Sequence, residues 1–143
     1  MFIDNTIMVG ANFFNNNVGI GFPDGSAITE IISPGDNVNG VLIRTLTITA
    51  QWDFDTSEYE GSATYVYADT SVPSTPYDTS KRVIYFVVSP YNNLAPQAYQ
   101  WTGTMPYPVA LPSGYGLWLA CQGGPTTDTS ITTAAITWDY VTI

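Results

Sequence analysis

Residues 34–52 read PGDNVNGVLIRTLTITAQW. A turn-rich segment with Gly35 and Gly40 feeds one long apolar-and-threonine run. From Leu46 onward the run alternates: Leu46, Ile48, Ala50 and Trp52 share one parity, and Thr45, Thr47, Thr49 and Gln51 share the other. Successive side chains of a strand point to opposite faces, so this is a strand with one buried and one wet face. Val41 and Ile43 fall on the opposite parity from Leu46 and Ile48. A one-residue slip turns every side chain over, so a β-bulge near Arg44-Thr45 is expected to reconcile the two halves.

The rest of the chain repeats this grammar. Residues 27–32 form a short strand closed by Pro34-Gly35. Residues 62–68 form another, with Tyr65 and Tyr67 on one face. Residues 82–89, RVIYFVVS, and 117–122, LWLACQ, are apolar on both parities. Such strands are either central and covered on their far side or buried between subunits. Residues 90–112 carry Pro90, Pro96, Pro106, Pro108 and Pro112. Proline removes a ladder donor, so at most one interrupted edge strand is expected there. A last strand alternates over residues 133–143. Asn- and Gly-rich residues 1–27 read as an ordered arm or one or two short edge strands. No window shows a helical period. The expectation is all-β: an antiparallel, jelly-roll-like β-sandwich of seven or eight strands, one domain over residues 1–143 with an N-terminal arm at about 1–27.

Composition narrows the function. Charged residues are 10% of the 143, against an average of about 25%, so the surface is largely neutral and suits an obligate oligomer. Three basic residues against twelve acidic ones, a net charge of −9, cannot build the cationic footprint of a nucleic-acid binder. Nor do they suit an anionic membrane surface. No run is long enough to span a bilayer. The start, MFIDNTIMVG, has no basic segment before an apolar one and so reads as no signal peptide, with synthesis in the cytoplasm.

The chain has no histidine and one cysteine, Cys121, within an apolar run. This removes His-based triads and the usual zinc sites and leaves the thiol without a base. The expectation is no enzyme, no catalytic residues and no cofactor. The acidic loop DFDTSEYEG carries Asp53, Asp55, Glu58 and Glu60. Its alternatives are a solvated loop, a structural calcium site built from hard oxygen ligands, and a carboxylate pair for glycoside hydrolysis.

Aromatics are the remaining signal, 14% of the chain. Trp52, Trp118 and Trp138 sit in strands and read as core. Trp101 lies in the proline-rich region with Tyr99 and Tyr107, where flat rings beside amide side chains would suit a sugar or a protein partner. The two strands apolar on both faces make Phe86, Val87 and Trp118 the candidate oligomer contacts.

Two stretches, SPGDNVNGVLIRT at residues 33–45 and LPSGYGLWLAC at residues 111–121, resemble small bacteriophage virion proteins. These are β-sandwiches of tails, spikes and capsid decorations that join a PG.N..GV turn to one strand and an LP.G.GL turn to another. The resemblance implies a virion protein acting by assembly: a symmetric homo-oligomer, with a trimer as the expected state, contacting other virion proteins and a host-surface glycan. The alternative reading is a carbohydrate-binding or lectin-like module.

Overall fold

The computed structural model describes residues 8–20, 26–53, 62–89, 99–122 and 129–143. They form nine strands: β1 (Asn12–Ile20), β2 (Ser26–Ile32), β3 (Val41–Asp53), β4 (Ser62–Asp69), β5 (Val83–Ser89), β6 (Tyr99–Thr104), β7 (Val109–Leu111), β8 (Gly116–Gln122) and β9 (Thr129–Tyr140). Two antiparallel sheets result, β1-β9-β3-β6 with β7 also on β3, and β2-β8-β4-β5. The pairing is nested. β1 pairs β9, β2 pairs β8, β3 pairs β7 and β6, and β4 pairs β5. This is a long antiparallel hairpin rolled up on itself, which is what makes the sandwich a jelly roll.

β3 carries the bulge its parity demands. Its register against β9 shifts between Ile43 and Thr45. Val41 and Ile43 before the shift, and Leu46, Ile48 and Ala50 after it, are therefore all buried. They meet Ala134, Ile136 and Trp138 of β9 within the same sheet. Across the sandwich they meet Leu117, Leu119 and Cys121 of β8, Val66 and Ala68 of β4, and Val87 of β5. The opposite face of β3 stays polar, as its alternation requires. Thr45 shares a hydrogen bond with Thr137 at 2.7 Å, Thr47 with Thr104 at 3.2 Å and Thr49 with Thr102 at 2.8 Å. Such cross-strand pairs are units of sheet stabilisation.

The proline-rich region forms one interrupted edge. β7 pairs with residues 41–43 of β3 and β6 with residues 47–52; Pro106 and Pro108 fall in the gap, where no ladder bond is lost. The arm is a strand for part of its length: β1 is an edge of the first sheet. The segment before it is pinned to β9, Gly10 N–H donating to Thr137 Oγ1 at 2.9 Å and Ala11 N–H to Asp139 Oδ1 at 2.7 Å. The Ala11 N–H, and after it the Arg44 guanidinium at 2.8 Å, hold the Asp139 carboxyl below the usual carboxylate range.

The turn into β3 is built around Asn37, 1% exposed. Its Nδ2 donates to Pro112 O at 2.7 Å and Tyr115 O at 2.9 Å, and its Oδ1 accepts from Gly40 N–H at 2.8 Å. Gly40 has φ +115, a conformation that strains any residue with a Cβ. The PGDN and LPSGYG turns thus form one unit at the end of the sandwich.

Candidate functional site

Two strands expected to be covered on both faces take different positions. β8 is central in its sheet. Its outward residues Trp118 and Ala120 are buried with Tyr67 under the chain's own side chains. Trp118, 2% exposed, is therefore not available as an oligomer contact. β5 is an edge strand. Its inward residues Tyr85 and Val87 lie directly on the backbone of β6 at Gly103, where a Cβ would stand 2.4 Å from Tyr85 Oη and 2.8 Å from Val87 Cγ2. Val87 is thus a core residue, 4% exposed, and not an interface one. Phe86, of the opposite parity, is 60% exposed.

Phe86 belongs to an aromatic patch on the outer face of the second sheet. Tyr65 of β4 stands directly opposite it in register, with ring centroids 6.3 Å apart and planes at 30°. The Tyr77 ring also packs against Tyr65, with centroids 5.2 Å apart and planes tilted by 45°. Together with Val83 and Val88 these rings line a shallow pocket of about 330 Å³.

Tyr77 owes its place to the loop that carries it. Tyr67 Oη donates to Pro76 O at 2.9 Å and accepts from Asp78 N–H at 2.8 Å, so the residues on either side of Tyr77 are gripped by one hydroxyl. The Asp78 carboxylate accepts from Ser74 N–H and Oγ–H, both at 2.9 Å, and from Ser80 N–H at 2.9 Å and Oγ–H at 2.6 Å. Those donors, Ser74 N–H foremost, hold its carboxyl far below the ordinary range. A carboxylate with several donors aimed at it is favoured in its charged form.

The pocket is electrically quiet. Among the described residues no charged side chain lines it. Burial, reinforced by the neighbouring Tyr77 and Tyr67 hydroxyls, pushes the Tyr65 phenol up, so it stays neutral. Two cations stand at the start of β5. Lys81 Nζ donates to Ser71 Oγ, and the Arg82 guanidinium lies over the Tyr115 ring, 5.2 Å from its centroid.

The remaining sequence candidates do not gather here. Trp101 on β6 and Tyr107 in the turn after it are 58% and 76% exposed, but neither lines the pocket. The Tyr99 side chain, the Asp53 side chain, and Asp55, Glu58 and Glu60 lie outside the described residues. Among the described residues no group of three His, Cys, Asp or Glu could hold a metal ion, and no helix is long and apolar enough to cross a membrane. Cys121 is buried, which pushes its thiol up and leaves it a small core residue.

Sequence reasoning missed Tyr65 and Tyr77 as site residues. The alternation in TYVY put Tyr65 on a face with Tyr67, while RVIYFVVS, apolar on both parities, left the face of Phe86 open. Which faces adjoin depends on the β4–β5 pairing.

The chain matches no protein-family model and no curated protein. Among solved structures it is similar to a chain of broad bean stain virus, at 9% identity and a TM-score of 0.47, covering 93% of this chain and 89% of that one. It is similar to a chain of cocksfoot mottle virus at 9% identity and 0.41, covering 99% and 92%. It is also similar to the K3 cleaved adhesin domain of Lys-gingipain from Porphyromonas gingivalis at 18% identity and 0.42, covering 78% of this chain. The chain spans 62% of that adhesin domain's length, less than two thirds. Likeness at this level assigns no function.

Proposed function

We propose that this protein is a non-enzymatic structural or surface component of a bacteriophage virion, a capsid decoration, spike or tail part that acts by assembly. The observation that carries the reading is the uncharged, outward aromatic patch of Tyr65, Tyr77, Phe86 and Val88 on a sandwich whose own core is already complete. Contiguous apolar surface on a soluble domain marks contact with another molecule. The low charge of the whole chain, 10%, supports a life spent largely against other protein. The jelly roll is an architecture that capsid proteins use, and lectins too, so the fold agrees with the reading without choosing it.

The test is physical association. Peptides of the chain should appear in virus particles banded from the source culture, and an antiserum against the purified chain should decorate those particles in electron micrographs. Particles free of the chain would overturn the reading.

A second reading, glycan binding, is favoured by the exposure of Trp101 and Tyr107. Trp101→Ala should then abolish binding on a glycan array while leaving the melting temperature unchanged. An array blank for the unmodified protein removes this reading.

A further inference from the structure

Of the four sheet edges, the one formed by β5 combines a strand free of charge, proline and glycine with an aromatic outer face. Native edges are blunted by charge, proline, glycine or bulges. β2 has Glu30 and a register shift beside it. β6 contains Gly103, and β1 an asparagine run. β5 also has a register shift, with Ile84 the extra residue between Val83 and Tyr85, but it reads VIYFVVS, seven residues with no charge, proline or glycine. That is the composition of a segment that seeks another strand. Among the described residues, β5 pairs with β4 on one side and with no strand on the other.

We infer that β5 is a self-association edge, at which a second copy of this chain adds its own β5 antiparallel across a two-fold axis. This rests on the reading of the protein as one that acts by assembly and names the surface. The Phe86 and Val88 side chains of each copy would lie over the joint, against the Tyr65–Tyr77 pocket.

Three observations choose a second copy. An isologous contact needs a self-complementary surface, and an uncharged edge strand with an apolar outer face is one. Each copy carries a net charge of −9, so two copies repel except where acids are few. The described lining of the β5 pocket has no acid, and at the start of the strand Asp69 and Asp78 are offset by two of the chain's three cations, Lys81 and Arg82. Antiparallel pairing keeps those cations at opposite ends of the joint, so the like charges of the two copies stay apart. A sugar is disfavoured, since among the described residues the lining offers tyrosine hydroxyls and no amide or carboxylate for its hydroxyl groups.

Area sets the strength. Phe86 is 60% and Tyr77 57% exposed, with Val88 at 48% and Val83 at 37%. With roughly 200 Å² for a whole aromatic side chain, the patch offers on the order of 400 Å². A standard interface takes about 800 Å² per partner. Main-chain hydrogen bonds between the two edges add to the patch. The result is a weak, reversible dimer, with dissociation at micromolar concentrations or above.

Sedimentation of the purified chain over about 1 to 300 μM covers those concentrations. The mass of the unmodified protein should rise from one protomer, 15.5 kDa, to two. Phe86→Lys/Val88→Lys should hold it at one protomer at every concentration, with unchanged far-UV circular dichroism to show that it folds. Thr47→Lys/Thr49→Lys, on the outer face of the other sheet, should dimerise as the unmodified protein does. A monomer at all concentrations overturns the inference, as does a dimer indifferent to the β5 substitutions. So does open growth past two protomers, which a closed two-fold contact forbids. None of these results decides whether the chain is on a virion; the particle experiment does that separately.

Discussion

Asn37 Nδ2 donates to the carbonyl oxygen of Pro112 at 2.7 Å, joining two turns 75 residues apart in the chain. The same nitrogen reaches Tyr115 O at 2.9 Å. One amide therefore fixes where β3 begins relative to β8. Asn37→Asp is nearly isosteric but turns both donors into acceptors facing carbonyl oxygens. An unsatisfied buried polar group costs about 1–3 kcal/mol, more when charged. Asn37→Asp should thus be more destabilising at pH 7 than Asn37→Ala in urea unfolding. Equal losses would show that the amide only fills space.

The hydroxyls of Thr64 and Thr132 share a hydrogen bond of 2.6 Å in the interior. Thr64 comes from one sheet and Thr132 from the other, and both are 0% exposed. Thr132→Val should cost about 1–3 kcal/mol by leaving Thr64 unpaired, and Thr64→Val/Thr132→Val should cost less than the single change. A double-mutant cycle in chemical denaturation measures the coupling. Additive losses would mean that Thr64 finds Cys121 Sγ, 3.9 Å away, sufficient.

Acid should loosen the loop that presents Tyr77. The Asp78 carboxyl is held below the ordinary range by the Ser74 and Ser80 donors. A depressed folded-state pKa contributes stability above the unfolded value, about 3.9. That contribution is lost as pH falls below it. Asp69, held low chiefly by Thr70 N–H, acts in the same direction. Stability should be level from pH 7 to about 5 and decline from about pH 4 downward. Asp78→Asn should start lower at pH 7 and decline less. A variant that follows the unmodified profile in parallel would exclude Asp78 as the origin.

Val87→Asp separates a core position from a contact position. Its side chain packs against Gly103 inside the sandwich. A buried carboxylate without partners should cost roughly 3–5 kcal/mol, lowering the melting temperature by about 10–17 °C for a domain of this size. A soluble, folded monomer of unchanged melting temperature would instead place Val87 on a surface.

Alternation along each strand was enough to read the all-β class, most strand positions and the bulge in β3. Side-chain parity is a local property of extended backbone. The parity break between Ile43 and Leu46 can be resolved in few ways, and the register shift lies where that break falls. The polar and buried faces of β3 and β9 were legible for the same reason.

Order within the sheets was not local. RVIYFVVS and LWLACQ look alike as strings, yet β8 is central and β5 is an edge. The difference lies in what pairs on the second side of each strand, and that is set by nesting of segments far apart in sequence. Burial followed: Trp118 was enclosed beside Tyr67, while Phe86 was left in the open beside Tyr65. The aromatic patch therefore belongs to the roll of the chain, which brings together β4, β5 and the Asp78 loop, and to no single stretch of residues.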